Sequence, residues 1–307
     1  MKNHTAPAKI HIRRRWNAEA RYGLLLALPA ILGFLIFTLG PLFASLILSF
    51  TDYTVSKAPS FVGVKNYVRL FSNQDPFFYK SLGVTLYYVV LSVPVSMVAA
   101  FLLALMLKHN MKGKALFRTI FYLPSIVPAV ATATIFMWLL NPDIGLFNQI
   151  LKAVGLPTSQ WIYSEKTVVP TLALMNAWTV GGTMLIFLAG LEGIPNQYYE
   201  AVDIDGGNAW NKLWTVTIPM MTPTIFFNLV MGIINGFQTF TQAQIMTEGG
   251  PNNASLFYTV LIYREAFKSF RMGNACSLAW VLFVIIMLLS SLVFRSSSSW
   301  VYYEGRR

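Results

Sequence analysis

Six long stretches of this chain carry almost no charge, and they decide its fold class before any motif is considered. They cover residues 23–50, 81–107, 119–140, 168–191, 220–243 and 275–295, with Asp, Glu, Lys and Arg absent except at the edges. About 20 apolar residues in helical geometry cross the roughly 30 Å hydrocarbon core of a bilayer. Lipid offers the backbone no hydrogen-bond partner, so each run must satisfy its own backbone groups as a helix. The pattern predicts an all-α polytopic membrane protein with six transmembrane helices. Composition agrees, since 11% of residues are charged against about 25% in a soluble domain. Pro29, Pro41, Pro94, Pro124, Pro128 and Pro170 lie in or near these runs. They predict kinks, which membrane helices tolerate where neighbours satisfy the freed carbonyls.

Charge sets the expected orientation. The net charge is +11, and in a chain this apolar the excess is better assigned to positive cytoplasmic loops than to nucleic-acid binding. With a cytoplasmic N-terminus, that side holds fourteen of the 23 basic residues, in the segments before 22, around 108–118, at Lys212 and after 294. Both termini are therefore predicted in the cytoplasm, and the chain divides into a basic tail (1–22), a transmembrane domain (23–295) and a C-terminal tail (296–307). The start "MKNHTAPAKIHIRRRWNAEARYG" resembles the basic region of a signal peptide. The apolar run behind it is too long and lacks a small-residue cleavage site, which predicts an uncleaved first span. The lone Cys276 excludes an internal disulfide and offers no metal cluster. His4, His11 and His109 are scattered near charges and read as solvated.

The spans carry no acids or bases of the kind that relay protons or ions, and no TVGYG filter. No G-x-x-x-x-G-K-[ST] phosphate loop, HExxH or Ser/His/Asp constellation occurs either. They do carry uncharged polarity at helical spacing. Asn228, Gly232, Asn235, Thr239 and Gln242 follow steps of +4, +3, +4 and +3, with Gly236 and Gln238 beside them. That spacing puts the stripe on one helix face. Asn176, Thr179 and Thr183 repeat the pattern in the fourth span, next to Trp178. Any one of these residues could be interhelical packing or hydrogen bonding. An amide-rich stripe beside aromatic rings fits better as the wall of a pathway for a neutral, hydroxyl-rich solute.

The loop 192–219 goes against the charge trend, with Glu192, Glu200, Asp203 and Asp205 against Lys212 alone. Pro195 and Asn196 predict a helix start, with Asn196 as the cap of a helix over 197–204. Asp205-Gly206-Gly207 signals its stop, and Asn208 is placed to cap a second short helix that ends before Pro219. Amphipathic segments that lie on a membrane are usually rich in Lys and Arg. This one is acidic, which favours a dock for a protein partner.

"EAVDIDGGNAWNKLWTVTIP" resembles the EAA loop of ABC importer permeases, whose pattern is E-A-A-x-x-x-G followed by I-x-L-P. Glu200, Ala201, Gly206, Ile218 and Pro219 stand in matching places, while Val202 replaces the second alanine and "TIP" the usual ending. "FVGVKNYVRLF", "FRTIFYLPSIVPAVATATIFMWLLNPDIGLFN" and "IMTEGGPNNAS" are similar to segments of the carbohydrate branch, the maltose-type larger membrane subunit. The resemblance implies a sugar-import permease of a bacterial or archaeal cell membrane, and not an enzyme. It implies a second homologous permease, two cytoplasmic ATPase subunits that hold the ATP and Mg, and an extracytoplasmic solute-binding protein. Glu200, Ala201, Asp205 and Gly206 would couple to the ATPase, and Gly249, Gly250 and Pro251 would meet the binding protein. Asn176, Trp178, Gly232, Asn235, Gly236, Gln238, Thr239 and Gln242 would contact the sugar, with lipid around the whole. A permease for a polyamine or phosphate would share the loop but would need intramembrane acids or bases. A membrane-embedded enzyme would need a catalytic constellation, and none is present.

Overall fold

A computed structural model describes residues 18–109 and 112–302. The basic residues before Arg21, His4 and His11, and the last residues of the C-terminal tail lie outside that range. The described residues are helical almost throughout, with isolated bridges at Thr51–Phe61 and Thr54–Lys57 and no strand. The helices are α1 (Ala20–Ser49), α2 (Lys65–Phe71), α3 (Phe78–Lys108), α4 (Lys114–Ile126), α5 (Ala129–Leu139) and α6 (Leu146–Ala153). They continue with α7 (Val168–Thr179) and α8 (Gly181–Glu192), α9 (Asn196–Ile204), α10 (Ala209–Met246), α11 (Tyr258–Tyr263) and α12 (Met272–Trp300).

Four of these, α1, α3, α10 and α12, are long and apolar enough to cross a bilayer unaided. The runs 119–140 and 168–191 are each a pair of helices, bent by 96° between α4 and α5 and by 52° between α7 and α8. With each pair counted as one span the total is six. The sharper bend has a local cause. Val127 and Pro128 are both extended, with ψ of 131° and 134°, and a residue before proline is pushed out of helical geometry.

At 31 residues, α3 is about 46 Å long at 1.5 Å per residue. Its buried positions Ser81, Thr85, Tyr88 and Ser92, and then Ala100, Ala104 and Leu107, recur at three- and four-residue steps on either side of the half-buried Ser96, so one stripe faces inward. Many are small, which lets α7, α8 and α10 pack closely on it. One core cluster, around Phe78, Tyr88, Phe257 and Tyr258, lies at one end of α3. A second, around Ala100, Leu107, Met184, Phe187 and Leu191, lies at the loop 192–219 end. By contrast α1 buries nothing but Ser49, and packs on α12 through its last ten residues. The Asn66-Tyr67 of "FVGVKNYVRLF" finishes this helix. Asn66 Nδ2 donates to the carbonyls of Ser49 and Thr51 at 2.8 and 3.0 Å, and Tyr67 donates to Ser49 Oγ at 2.7 Å.

Two sequence expectations are corrected. Asn196 is the first residue of α9 rather than its cap; Pro195, with ψ 137°, takes the cap position and no side chain caps this end. The second loop helix does not stop before Pro219 but runs on into the span as α10. A π turn at Leu213–Thr217 leads into regular helix at Ile218, and Pro219 sits directly after that change of register. α12 runs on through the serine tract 296–299 to Trp300.

Candidate functional site

The middle of the bundle encloses a cavity of about 330 Å³, within the range of small-molecule sites. α10 supplies Asn228, Gly232, Asn235, Gly236, Thr239 and Gln242, the whole stripe found in the sequence. α7 and α8 supply Asn176, Thr179 and Thr183. α3 supplies Tyr88, Ser92 and Ser96. Periodicity analysis passed over this last wall, although steps of +4 and +4 through Pro94 are a signal of the same kind. No lining residue is charged.

A polar contact ties α7 to α3, with Asn176 Nδ2 donating to Ser96 Oγ at 3.0 Å. Asn228 is satisfied within its own helix, donating to Thr224 O at 2.8 Å. Asn235 is exposed to the cavity, and its carbonyl accepts from Thr239 Oγ1 at 3.3 Å. Gly232 and Gly236 form a G-x-x-x-G contact with α3. A Cβ on Gly236 would come within 2.9 Å of Val89, and one on Gly232 within 3.0 Å of Val93. These glycines border the cavity and also let the helices approach. Trp178 and Gln238 do not line it. Trp178 turns away beside Phe136, and Gln238 is exposed where α10 leaves helical geometry.

At one end of the bundle, α9 stops in a Schellman turn. The Gly207 N–H bonds Val202 O at 2.8 Å and the Gly206 N–H bonds Asp203 O at 3.0 Å, the paired pattern of that motif. Gly206 has φ +75°, a conformation an L side chain resists. Asn208 Oδ1 then accepts from Asn211 N at 2.9 Å and caps α10, and Lys212 pairs with Asp203 at 2.6 Å. Tyr199 and Val202 face the bundle, whereas Glu200, Ala201, Ile204 and Asp205 face out. Ile204 is 86% exposed. Where α8 ends, Lys114 and Arg118 meet Glu192 at 3.0 and 3.2 Å. The Lys114 hydrogen bond, aided by both positive charges, holds the Glu192 carboxyl below its ordinary range.

The Gly249-Gly250-Pro251 loop lies on another part of the molecule. Gly249 has φ +86° and is buried beneath Arg264, whose guanidinium donates to Glu248 O and to Asn253 Oδ1. Lys268 pairs with Glu248 at 3.1 Å, and Lys80 donates to Asn252 O at 2.6 Å. Gly250 and Pro251 are part-exposed, so a partner would meet those two rather than Gly249.

Residues 92–302 match the family described as "Binding-protein-dependent transport system inner membrane component". The chain is 42% identical over 91% of its length to the probable ABC transporter permease protein YesP of Bacillus subtilis, covering 91% of that protein. It is 30% identical to the arabinooligosaccharides transport system permease protein AraP of Halalkalibacterium halodurans, over 90% of this chain and 87% of that one. Its fold is similar to a chain in the crystal structure of a bacterial alginate ABC transporter in complex with an alginate pentasaccharide-bound periplasmic protein. The TM-score there is 0.81 at 25% identity, over 93% of this chain and 97% of that one. A bundle of whole and broken spans, an uncharged central cavity and a protruding acidic helix thus belong to a multi-pass membrane subunit that transports rather than catalyses, and the chain is a member of the binding-protein-dependent ABC transport permease family.

Proposed function

We propose that this chain is the permease subunit of an ATP-driven importer of sugars or oligosaccharides, with α9 as its coupling helix. The observation that carries the substrate class is the cavity wall. Asn176, Asn235, Gln242 and the neighbouring hydroxyls both donate and accept hydrogen bonds, and none of the lining groups is charged. Such a wall suits the hydroxyl groups of a sugar. A polyamine would call for carboxylates and a phosphate for basic groups. The relative named for arabinooligosaccharides supports the same class.

In this reading Glu200 and Asp205, whose carboxylates make no ion pair or hydrogen bond within the described residues, meet a separate ATPase subunit that holds ATP and Mg. Gly206 shapes the turn that presents them. Gly250 and Pro251 face an extracytoplasmic solute-binding protein, and a second homologous permease completes the pathway. Both termini lie in the cytoplasm, on the α9 side. Uptake by the complex reconstituted with its ATPase, second permease and binding protein tests the substrate class. Radiolabelled oligosaccharides are expected to accumulate, and ATPase activity stimulated by polyamines alone overturns the reading. Glu200→Lys is expected to reduce co-purification of the ATPase while leaving membrane insertion intact.

A further inference from the structure

The outward face of α9 is open for docking, but its inward face shows how a push there reaches the cavity. Tyr199 is the contact. Lys108, the last residue of α3, donates from Nζ to the Tyr199 hydroxyl at 2.8 Å and lies 4.0 Å from the ring centroid. The same hydroxyl is 3.1 Å from Oγ1 of Thr217 in α10, and Thr217 Oγ1 in turn donates to Lys212 O at 3.2 Å. Donor order follows from this. The Thr217 proton is committed to the Lys212 carbonyl and the Tyr199 oxygen accepts from Lys108, so the Tyr199 proton points at Thr217. Each group in the chain Lys108, Tyr199, Thr217, Lys212 C=O is then used once, with a charged donor at its head, the stronger class of hydrogen bond. Thr217 is buried and Tyr199 half-buried, which shields these bonds from competing water.

The two helices Tyr199 joins are the ones that build facing walls of the cavity. α3 brings Tyr88, Ser92 and Ser96, and α10 brings Asn228 to Gln242. They touch each other through Gly232 and Gly236 against Val93 and Val89. Lys212 adds a second strap by pairing with Asp203 of α9.

We propose that Tyr199 is a positioning residue that makes α9 move as one body with α3 and α10, so that displacement of the docked helix reshapes the cavity. The proposal rests on α9 being the coupling helix. Its test needs no knowledge of the solute. In the assembled complex in nanodiscs, Cys276→Ser removes the native thiol and Gln242→Cys places one in the cavity wall. The maleimide labelling rate of that thiol is measured with and without MgATP and vanadate.

With Tyr199 intact, trapping is expected to change the labelling rate. In Tyr199→Leu that change is expected to shrink by about fivefold, with ATPase co-purification and basal hydrolysis retained. Tyr199→Phe, which loses the hydroxyl but keeps the ring under Lys108, is expected to lie between. An unaltered labelling change in Tyr199→Leu overturns the proposal. So does loss of the ATPase from that variant, which would make Tyr199 part of the docking surface itself. If Tyr199→Leu fails to insert, Tyr199→Phe and Thr217→Val decide, since each removes one hydroxyl, and an unaltered change in both overturns the proposal. If the parent with Tyr199 shows no nucleotide-dependent change, the coupling reading of α9 falls and the proposal with it; Glu200→Lys tests that reading separately.

Discussion

Two hollows lie on opposite sides of α7, and they differ in kind more than in size. The larger, about 750 Å³, opens in the angle between α4 and α5 and is walled by groups such as Leu123, Ile135, Phe136, Leu139 and Trp178. The smaller, about 330 Å³, sets amides and hydroxyls among apolar groups such as Val93, Met97 and Phe240. In a bilayer protein an apolar hollow can be filled by hydrocarbon or by another helix at little cost, because lipid tails are as apolar as leucine. A polar hollow must be filled by water or by a solute that returns its hydrogen bonds. Volume therefore says little about where a solute passes. The character of the wall says more.

Asn176 and Trp178 test that distinction most directly. Asn176→Leu removes the bond to Ser96 and turns an apolar group into the polar hollow. Uptake by the assembled complex is expected to fall at least about tenfold, the scale of a hydrogen bond left unmade. Trp178→Ala is expected to leave uptake per assembled complex at the parent level; equal losses in the two would erase the functional difference between the hollows.

The elbow separating them provides the next test. A Cβ on Gly181 would lie 2.7 Å from the Phe121 carbonyl oxygen and from the Tyr122 Cα, whereas one on Gly182 would meet nothing within 4 Å. Gly181→Ala must move backbone and is expected to cost about 1–3 kcal/mol, seen as a lower melting temperature in detergent. Gly182→Ala is expected to be neutral or slightly stabilising.

Gly236→Ala presses on the side chain of Val89 rather than on backbone, so its cost is expected at the low end of that range, about 1 kcal/mol. Its effect on uptake is expected to exceed its effect on melting, because the polar hollow changes shape. The smallest effect is expected far from both hollows. Glu192 is held below the ordinary carboxyl range by Lys114 and Arg118, and its side chain is 47% exposed. A depressed carboxyl stabilises above its unfolded titration range and loses that contribution as pH falls through the folded value. For a pair this exposed, Glu192→Gln is expected to cost about 0–1 kcal/mol above that range and nothing below it, measured by melting across acidic pH.

The polar hollow was largely legible in the sequence because a stripe at three- and four-residue steps needs no tertiary information. The six runs and the Asp205-Gly206-Gly207 stop were legible for the same reason. Trp178 was not. It sits two residues from Asn176, about 200° around a helix, and lies beside Phe136 rather than in the polar hollow. The α3 wall escaped because Tyr88, Ser92 and Ser96 look unremarkable in a run rich in Val and Leu. The continuation of α10 through Pro219 depends on the π turn at Leu213–Thr217, a change in hydrogen-bond register that residue types alone do not announce. The expected cap at Asn196 failed because Pro195 already occupies the extended position before the helix.

The contact of Gly232 and Gly236 with Val93 and Val89 has a mechanical consequence. Bare backbone on α10 rests on methyl groups of α3, with no hydrogen bond in the contact itself. Packing alone sets the spacing there, so the pair can travel together without any polar bond in the contact being stretched.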